Sequence, residues 1–432
     1  MSDPGDEWAR DALQPLRDVL QQVPVPEIRP ARLHPSRLVA AVVLVGLLVT
    51  GATAGIMRIR RELGAATIRP GLTVTAFRAA FTSGPSGDRD IGLIDADRNQ
   101  LRPLVELPGD QFDPAFSADG GTVYFLSNAG GGPTTLWAVP AEGTGSPVEV
   151  FAPGRSVLSP LPSPTDNVVL VTEASAGNGG GLDIWAVQGD GGGGATRIRL
   201  TGAETVSEGP YLSSWEPRGR FFTGVVTIGG DPHLIPFVAN MAGETQFLRG
   251  HPAIAPGTEI AWAPDGSGFA YVSSSDEDQK GNSTESVVFV TATDWSVGWR
   301  STLPRGRRIS HLSFSPDGAG ITAVSDWEAP QSQCSDEGYA YPCRHQGVIW
   351  IDLSAGQDSV HVLAPGPNVY APAWEPESGR VLFWRVTGDP PSAVSQLVAV
   401  SLDGVETQLI GSWQSGIPEE PKAVWLSATT AD

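Results

Sequence analysis

Cysteine is almost absent from this 432-residue chain: Cys334 and Cys343 stand alone. Two thiols cannot build a disulfide framework. A zinc site wants four ligands, and only His345 is near; a redox pair wants Cys-x-x-Cys, which the spacing denies. In an oxidising compartment the pair reads as one disulfide closing a local loop. Lysine is nearly missing too, with 2 Lys against 26 Arg, which points to a GC-rich, bacterial source. Positive charge is scarce beyond residue 70, where 19 basic residues face 41 acidic ones, net −22. Such a segment repels phosphate backbones, so nucleic acid is not expected as a partner. Cationic partners are easier to accept, and plain solubility accounts for the acidity equally well. Catalytic signatures are missing as well: there is no Gly-x-Ser-x-Gly elbow, no His-Glu-x-x-His and no phosphate-binding Gly-x-x-x-x-Gly-Lys loop. No cofactor is expected.

Helical periodicity is the last absence, since no stretch after residue 70 sustains it. What takes its place is a repeat. Phe116-Ser-Ala-Asp-Gly, Trp215-Glu-Pro-Arg-Gly, Trp262-Ala-Pro-Asp-Gly, Phe314-Ser-Pro-Asp-Gly and Trp374-Glu-Pro-Glu-Ser-Gly are copies of one phrase, and Pro162-Ser-Pro-Thr-Asp is a weaker one. Ala118, Pro164, Pro217, Pro264, Pro316 and Pro376 mark it at spacings of 46, 53, 47, 52 and 60. After each phrase come two apolar β-runs and a third strand, separated by Gly, Pro, Asp and Asn. A unit this short cannot bury its own apolar face, and four-stranded units near fifty residues suit the blades of a propeller. Residues 72–107 hold a partial unit without the opening phrase. Lys422–Ala428 supplies what it lacks, because Trp425 follows Trp374 by 51 residues, in phase with the repeat. The expectation is an all-β, seven-bladed β-propeller over residues 72–428, with a tail at 429–432; six blades with a stray hairpin is the alternative.

The Ser-Pro-Asp-Gly turn followed by a β-run and an apolar strand resembles the TolB-type β-propeller repeat, over about residues 72–428. The resemblance implies the fold. That repeat occurs in envelope scaffolds, peptidase propellers and sensors, so it implies no single activity. The α/β domain that precedes the propeller in TolB has no counterpart here, and a Tol-type partner set is not implied. Nor is the α/β-hydrolase domain of propeller peptidases expected.

Leu38 to Met57 is a run of twenty residues without charge, long enough at about 1.5 Å per residue to cross a bilayer as one transmembrane helix. Arg37 flanks it on one side and Arg58, Arg60 and Arg61 on the other, so flanking charge does not orient it. The disulfide does: the propeller lies outside and the N-terminus inside the cell membrane. Ala52-Thr-Ala54 offers a signal-peptidase site as the alternative, giving a secreted protein. Residues 1–37 form a cytoplasmic tail in which Trp8, Leu13, Leu16, Leu20 and Val23 make an amphipathic helical stripe, interrupted by Pro15. The stripe is read as lying on the inner leaflet or docking a cytoplasmic protein. Residues 58–71 are a linker.

Two insertions set candidate sites. The lags from the Pro position to Trp137, Trp185, Phe237, Phe289, Trp350 and Val398 are 19, 21, 20, 25, 34 and 22, so the fourth and fifth full units carry extra residues, at 273–286 and 325–347. These loops hold Asp276, Asp278, Trp327, Asp336, Tyr339 and Tyr341. Aromatics within an acidic rim describe an interaction surface, against which stands a merely solvated loop. Asp276 and Asp278 also begin a calcium-like pattern, but Lys280 occupies a ligand position, so no metal is expected. The recurring Asp-Gly has some likeness to a sialidase Asp-box and is read as a turn device. The six His are read as single residues on loops and turns. The expected function is a membrane-anchored scaffold binding an extracytoplasmic protein or envelope polymer. A transmembrane signalling protein, or a propeller hydrolase or lyase, is the alternative.

Overall fold

A computed structural model describes residues 78–414, apart from 85–86, 96–99, 175–181, 191, 193, 203–205, 230–232, 256–258, 275–284, 303–307, 329–343, 354–359, 367, 376–378 and 388–393. It contains seven antiparallel sheets in chain order, one of three strands and six of four. These are the blades of a seven-bladed propeller. The only helix among the described residues is the single turn Ala129–Gly131.

The apolar runs explain the ring. In the second blade Val123 and Phe125 pack toward the first blade, while Tyr124 and Leu126 pack toward the third. Leu170 and its neighbours Val169 and Val171 divide in the same way. Because strand side chains alternate, a strand covered on both faces must be apolar throughout. The hydrophobic clusters accordingly lie between successive blades, not within any one of them. Phe81 of the first blade meets Trp384 of the seventh, with ring centroids 5.7 Å apart and Trp384 wholly buried, so the last blade packs on the first.

Each full blade opens on an innermost strand: Gln111–Phe116, Val157–Pro162, Val206–Trp215, Ala261–Trp262, Arg308–Phe314 and Val369–Trp374. The first residue of the repeated phrase closes that strand, aromatic in all but the third blade, where it is Pro162, and Trp215, Trp262 and Trp374 are buried there. The first blade is the exception, with Arg78–Ser83, Asp90–Asp95 and Gln100–Val105. These three strands fall within the partial unit expected at 72–107, of which residues 72–77 lie outside the described residues. Gln111 N–H crosses to Arg89 O just as Val157 N–H crosses to Thr134 O. Thr134 precedes the third strand of its blade, so Asp90–Asp95 holds the third position and Arg78–Ser83 the second. The innermost position of the first blade therefore has no described strand. Lys422–Ala428, the expected occupant, also lies outside the described residues, as do the tail, the apolar run 38–57 and the linker.

Candidate functional site: the two ends of the blades

First-to-second and third-to-fourth turns lie at one end of every blade. Second-to-third connections and the crossovers between blades lie at the other. The first-to-second turns are nearly uniform, at five or six residues. In the sixth blade Ser315 Oγ–H donates to Asp317 Oδ1 at 2.6 Å, and the same oxygen accepts Ala319 N–H at 3.0 Å. Ser117 and Asp119 repeat this in the second blade. Hydrogen bonds from Ser117 and from Gly121 N–H hold the Asp119 carboxyl below the usual carboxylate range. Gly120, Gly266 and Gly318 supply φ of 66°, 70° and 69° in these turns, a region glycine enters without strain. The recurring Asp-Gly is a turn device, as expected from the residue types.

Where Glu replaces Ser, the turn closes differently. The Glu216 carboxylate is fully buried and accepts Arg220 Nη2–H at 2.8 Å, together with the N–H groups of Arg218 and Arg220. Burial alone would raise its pKa, but the bonds from Arg220 and the main chain outweigh that and bring it below the usual value. Glu375 and Arg380 form the equivalent pair in the seventh blade.

The connection end varies. Most second-to-third connections span six or seven residues, such as 84–89 and 128–134, but 275–284 and 329–343 span ten and fifteen. Their bases are the rungs Ser274↔Glu285 and Glu328↔Arg344, on adjacent blades and at the same end. Part of the longer insertion extends the hairpin itself: Gly320–Glu328 and Arg344–Asp352 run nine residues each, so Trp327 is a strand residue opposite His345. Asp276, Asp278, Cys334, Asp336, Tyr339, Tyr341 and Cys343 lie outside the described residues. The histidines differ from expectation: His311, His345 and His361 are strand residues, not loop residues.

The innermost strands carry a feature that the sequence reading missed. In four of them two residues oppose one on the second strand, at Asp113–Pro114, Ser159–Pro160, His311–Leu312 and Ala371–Pro372. These are β-bulges, each three and two residues before the strand's last residue. Asp113, Ser159 and His311 take φ of 51°, 52° and 56° there. Left-handed backbone at a non-glycine residue prompts a search for function. Here one backbone state recurs with Asp, Ser and His in turn, as a structural device would. Pro114, Pro160 and Pro372 were the available signal, because proline within a sheet belongs at edges or bulges.

Asp110 stands at the same end. It accepts Nε–H and Nη2–H of Arg89 at 2.9 and 3.1 Å and the N–H of Gly87 at 2.8 Å, tying the first blade to the second. The Arg89 bonds hold its carboxyl below the usual range. Arg89 also lies 5.0 Å over the Phe112 ring. Among the described residues no three of His, Cys, Asp and Glu come together in a way that could hold a metal ion.

No protein-family model matches this chain, and no curated protein matches it. Solved structures do. An oligogalacturonate lyase in complex with manganese superposes with a TM-score of 0.50 at 15% identity, over 75% of this chain and 86% of that one. The propeller domain of the Trilobed protease from Pyrococcus furiosus gives 0.49 at 11%, over 77% and 98%. TolB from Acinetobacter baumannii gives 0.47 at 15%, over 86% and 72%. At these identities the likeness concerns the fold, and enzymes stand beside TolB among the proteins that share it. The chain is a seven-bladed β-propeller.

Proposed function

We propose that this protein is a membrane-anchored, extracytoplasmic propeller that binds another protein or an envelope polymer, without catalysis, through its connection end. One observation carries the reading: the two longest second-to-third connections leave the same end of adjacent blades, while the opposite end keeps short, self-bonded turns. Binding surfaces gather on variable loops held by a rigid scaffold. The acidic balance favours a partner with cationic groups. The uncharged run 38–57 is the anchor.

Photo-crosslinking side chains placed at Asp276 and Tyr339 of the full chain should capture one common partner, and one placed at Asp294, in a turn at the other end, should not. Equal capture from all three positions, or from none, would overturn the reading. The anchor has its own check. N-terminal sequencing of the native protein should find the chain retained from its first residues; a mature protein beginning at Gly55 would show a cleaved signal instead.

A further inference from the structure

Innermost strands are fastened to the preceding blade by a main-chain N–H near their start. Gln111 N–H meets Arg89 O at 2.7 Å and Val157 N–H meets Thr134 O at 2.9 Å, each five residues before its strand's last residue. Ile254 N–H meets Leu234 O at 3.0 Å and serves the fifth blade. In the fourth blade the same position is Pro210, which has no N–H to give. The sixth and seventh blades depart from this rule. Ile309 N–H is held by Oε2 of Glu285 at 2.5 Å, and Val369 N–H by Oε1 of Gln346 at 3.2 Å. Gln346 also accepts Gly366 N–H on its main-chain oxygen at 2.9 Å, so one residue grips both ends of that crossover.

A side chain has thus replaced the main-chain acceptor at two joints. Both acceptors sit on the third strands of the fifth and sixth blades, whose second-to-third connections 275–284 and 329–343 are the longest. A main-chain carbonyl is fixed by its sheet. A carboxylate or carboxamide turns on its own torsions and can follow or release its partner without unpairing a strand. We propose that Glu285 and Gln346 couple the connection end to the centre of the ring: a change at either long connection is passed through these side chains to the innermost strand of the next blade. This goes beyond the binding reading, because it holds whatever the connections bind.

Hydrogen exchange at single amides of the full chain tests it. Replacing residues 276–283 by two glycines should change exchange at Ile309 about ten-fold or more, while Gln111 and Val157 stay as they were. Glu285→Gln, which keeps an acceptor oxygen, should preserve that response, and Glu285→Ala should abolish it. An unchanged Ile309, an equal change at all three amides, or a response that survives Glu285→Ala would overturn the proposal. Should Glu285→Ala fail to fold, replacing 330–342 by two glycines with and without Gln346→Ala, read at Val369, decides the same question.

Discussion

At the turn end, the second and sixth blades close through Ser117–Asp119 and Ser315–Asp317, and the fourth and seventh through Glu216–Arg220 and Glu375–Arg380. At the connection end, the second-to-third connections run from six residues at 84–89 to fifteen at 329–343. The two ends of the same strands have therefore met different demands. A tight turn leaves main-chain N–H groups that must be satisfied, and two unrelated side-chain solutions do this with the same outcome. A long connection can find its partners in water, so length and composition there are free to drift or to be used. Sequence varies at both ends, but the first-to-second turns keep five or six residues while the second-to-third connections run from six to fifteen.

The largest effects are expected at neither end but at the seam between the seventh and first blades. Trp384 is wholly buried against Phe81, so Trp384→Ala should cost about 3–5 kcal/mol in denaturant unfolding. The innermost position of the first blade, where no described strand lies, sharpens the test. If Lys422–Ala428 fills it, Trp425→Ala should cost a similar amount, and truncation after Glu420 should expose an unpaired strand edge and favour aggregation. A truncated chain that stays monomeric and equally heat-stable would show that another segment closes the ring.

Smaller effects should separate the two turn chemistries. Glu216→Ala leaves buried N–H groups without an acceptor and should cost about 1–3 kcal/mol. The Glu216 carboxyl is lowered in the folded state, so its contribution is complete above the ordinary carboxyl value and fades as pH falls through the lowered one. Glu216→Gln should flatten that part of the acid-unfolding profile. An acid limb identical to the wild-type one would mean that the buried pair does not contribute.

Much of this division was legible in the residues. The Gly after Asp119, Asp265 and Asp317 marked the turns, and the fifty-residue period marked the blades, because both are local signals. The blade count was legible from the phase of the repeat. The bulges escaped, although Pro114, Pro160 and Pro372 marked three of them, because the repeated phrase begins two residues after each of these prolines. The joints at Glu285 and Gln346 could not have been read at all. They join residues 24 and 23 positions apart, and no sequence pattern distinguishes their side-chain acceptors from the main-chain carbonyls used elsewhere. Local chemistry writes itself into sequence; a contact between blades depends on how the ring closes.

The smallest expected effect on stability comes from the connection end. Replacing residues 330–342 by a short Gly-Ser segment removes no described core contact, and loop-closure entropy changes slowly with length. The melting temperature should therefore shift little, by an amount matching about 0.5 kcal/mol or less. The same change deletes Cys334, Asp336, Tyr339 and Tyr341, and should abolish capture of the partner crosslinked from Asp276. If Cys334 and Cys343 form a local disulfide, thiol labelling of the unreduced, denatured full chain should find none free, and reduction should leave the melting temperature close to the oxidised value. A loss of several kcal/mol on replacing 330–342 would mean that this connection is part of the scaffold, and the contrast between the two ends would then be one of sequence alone.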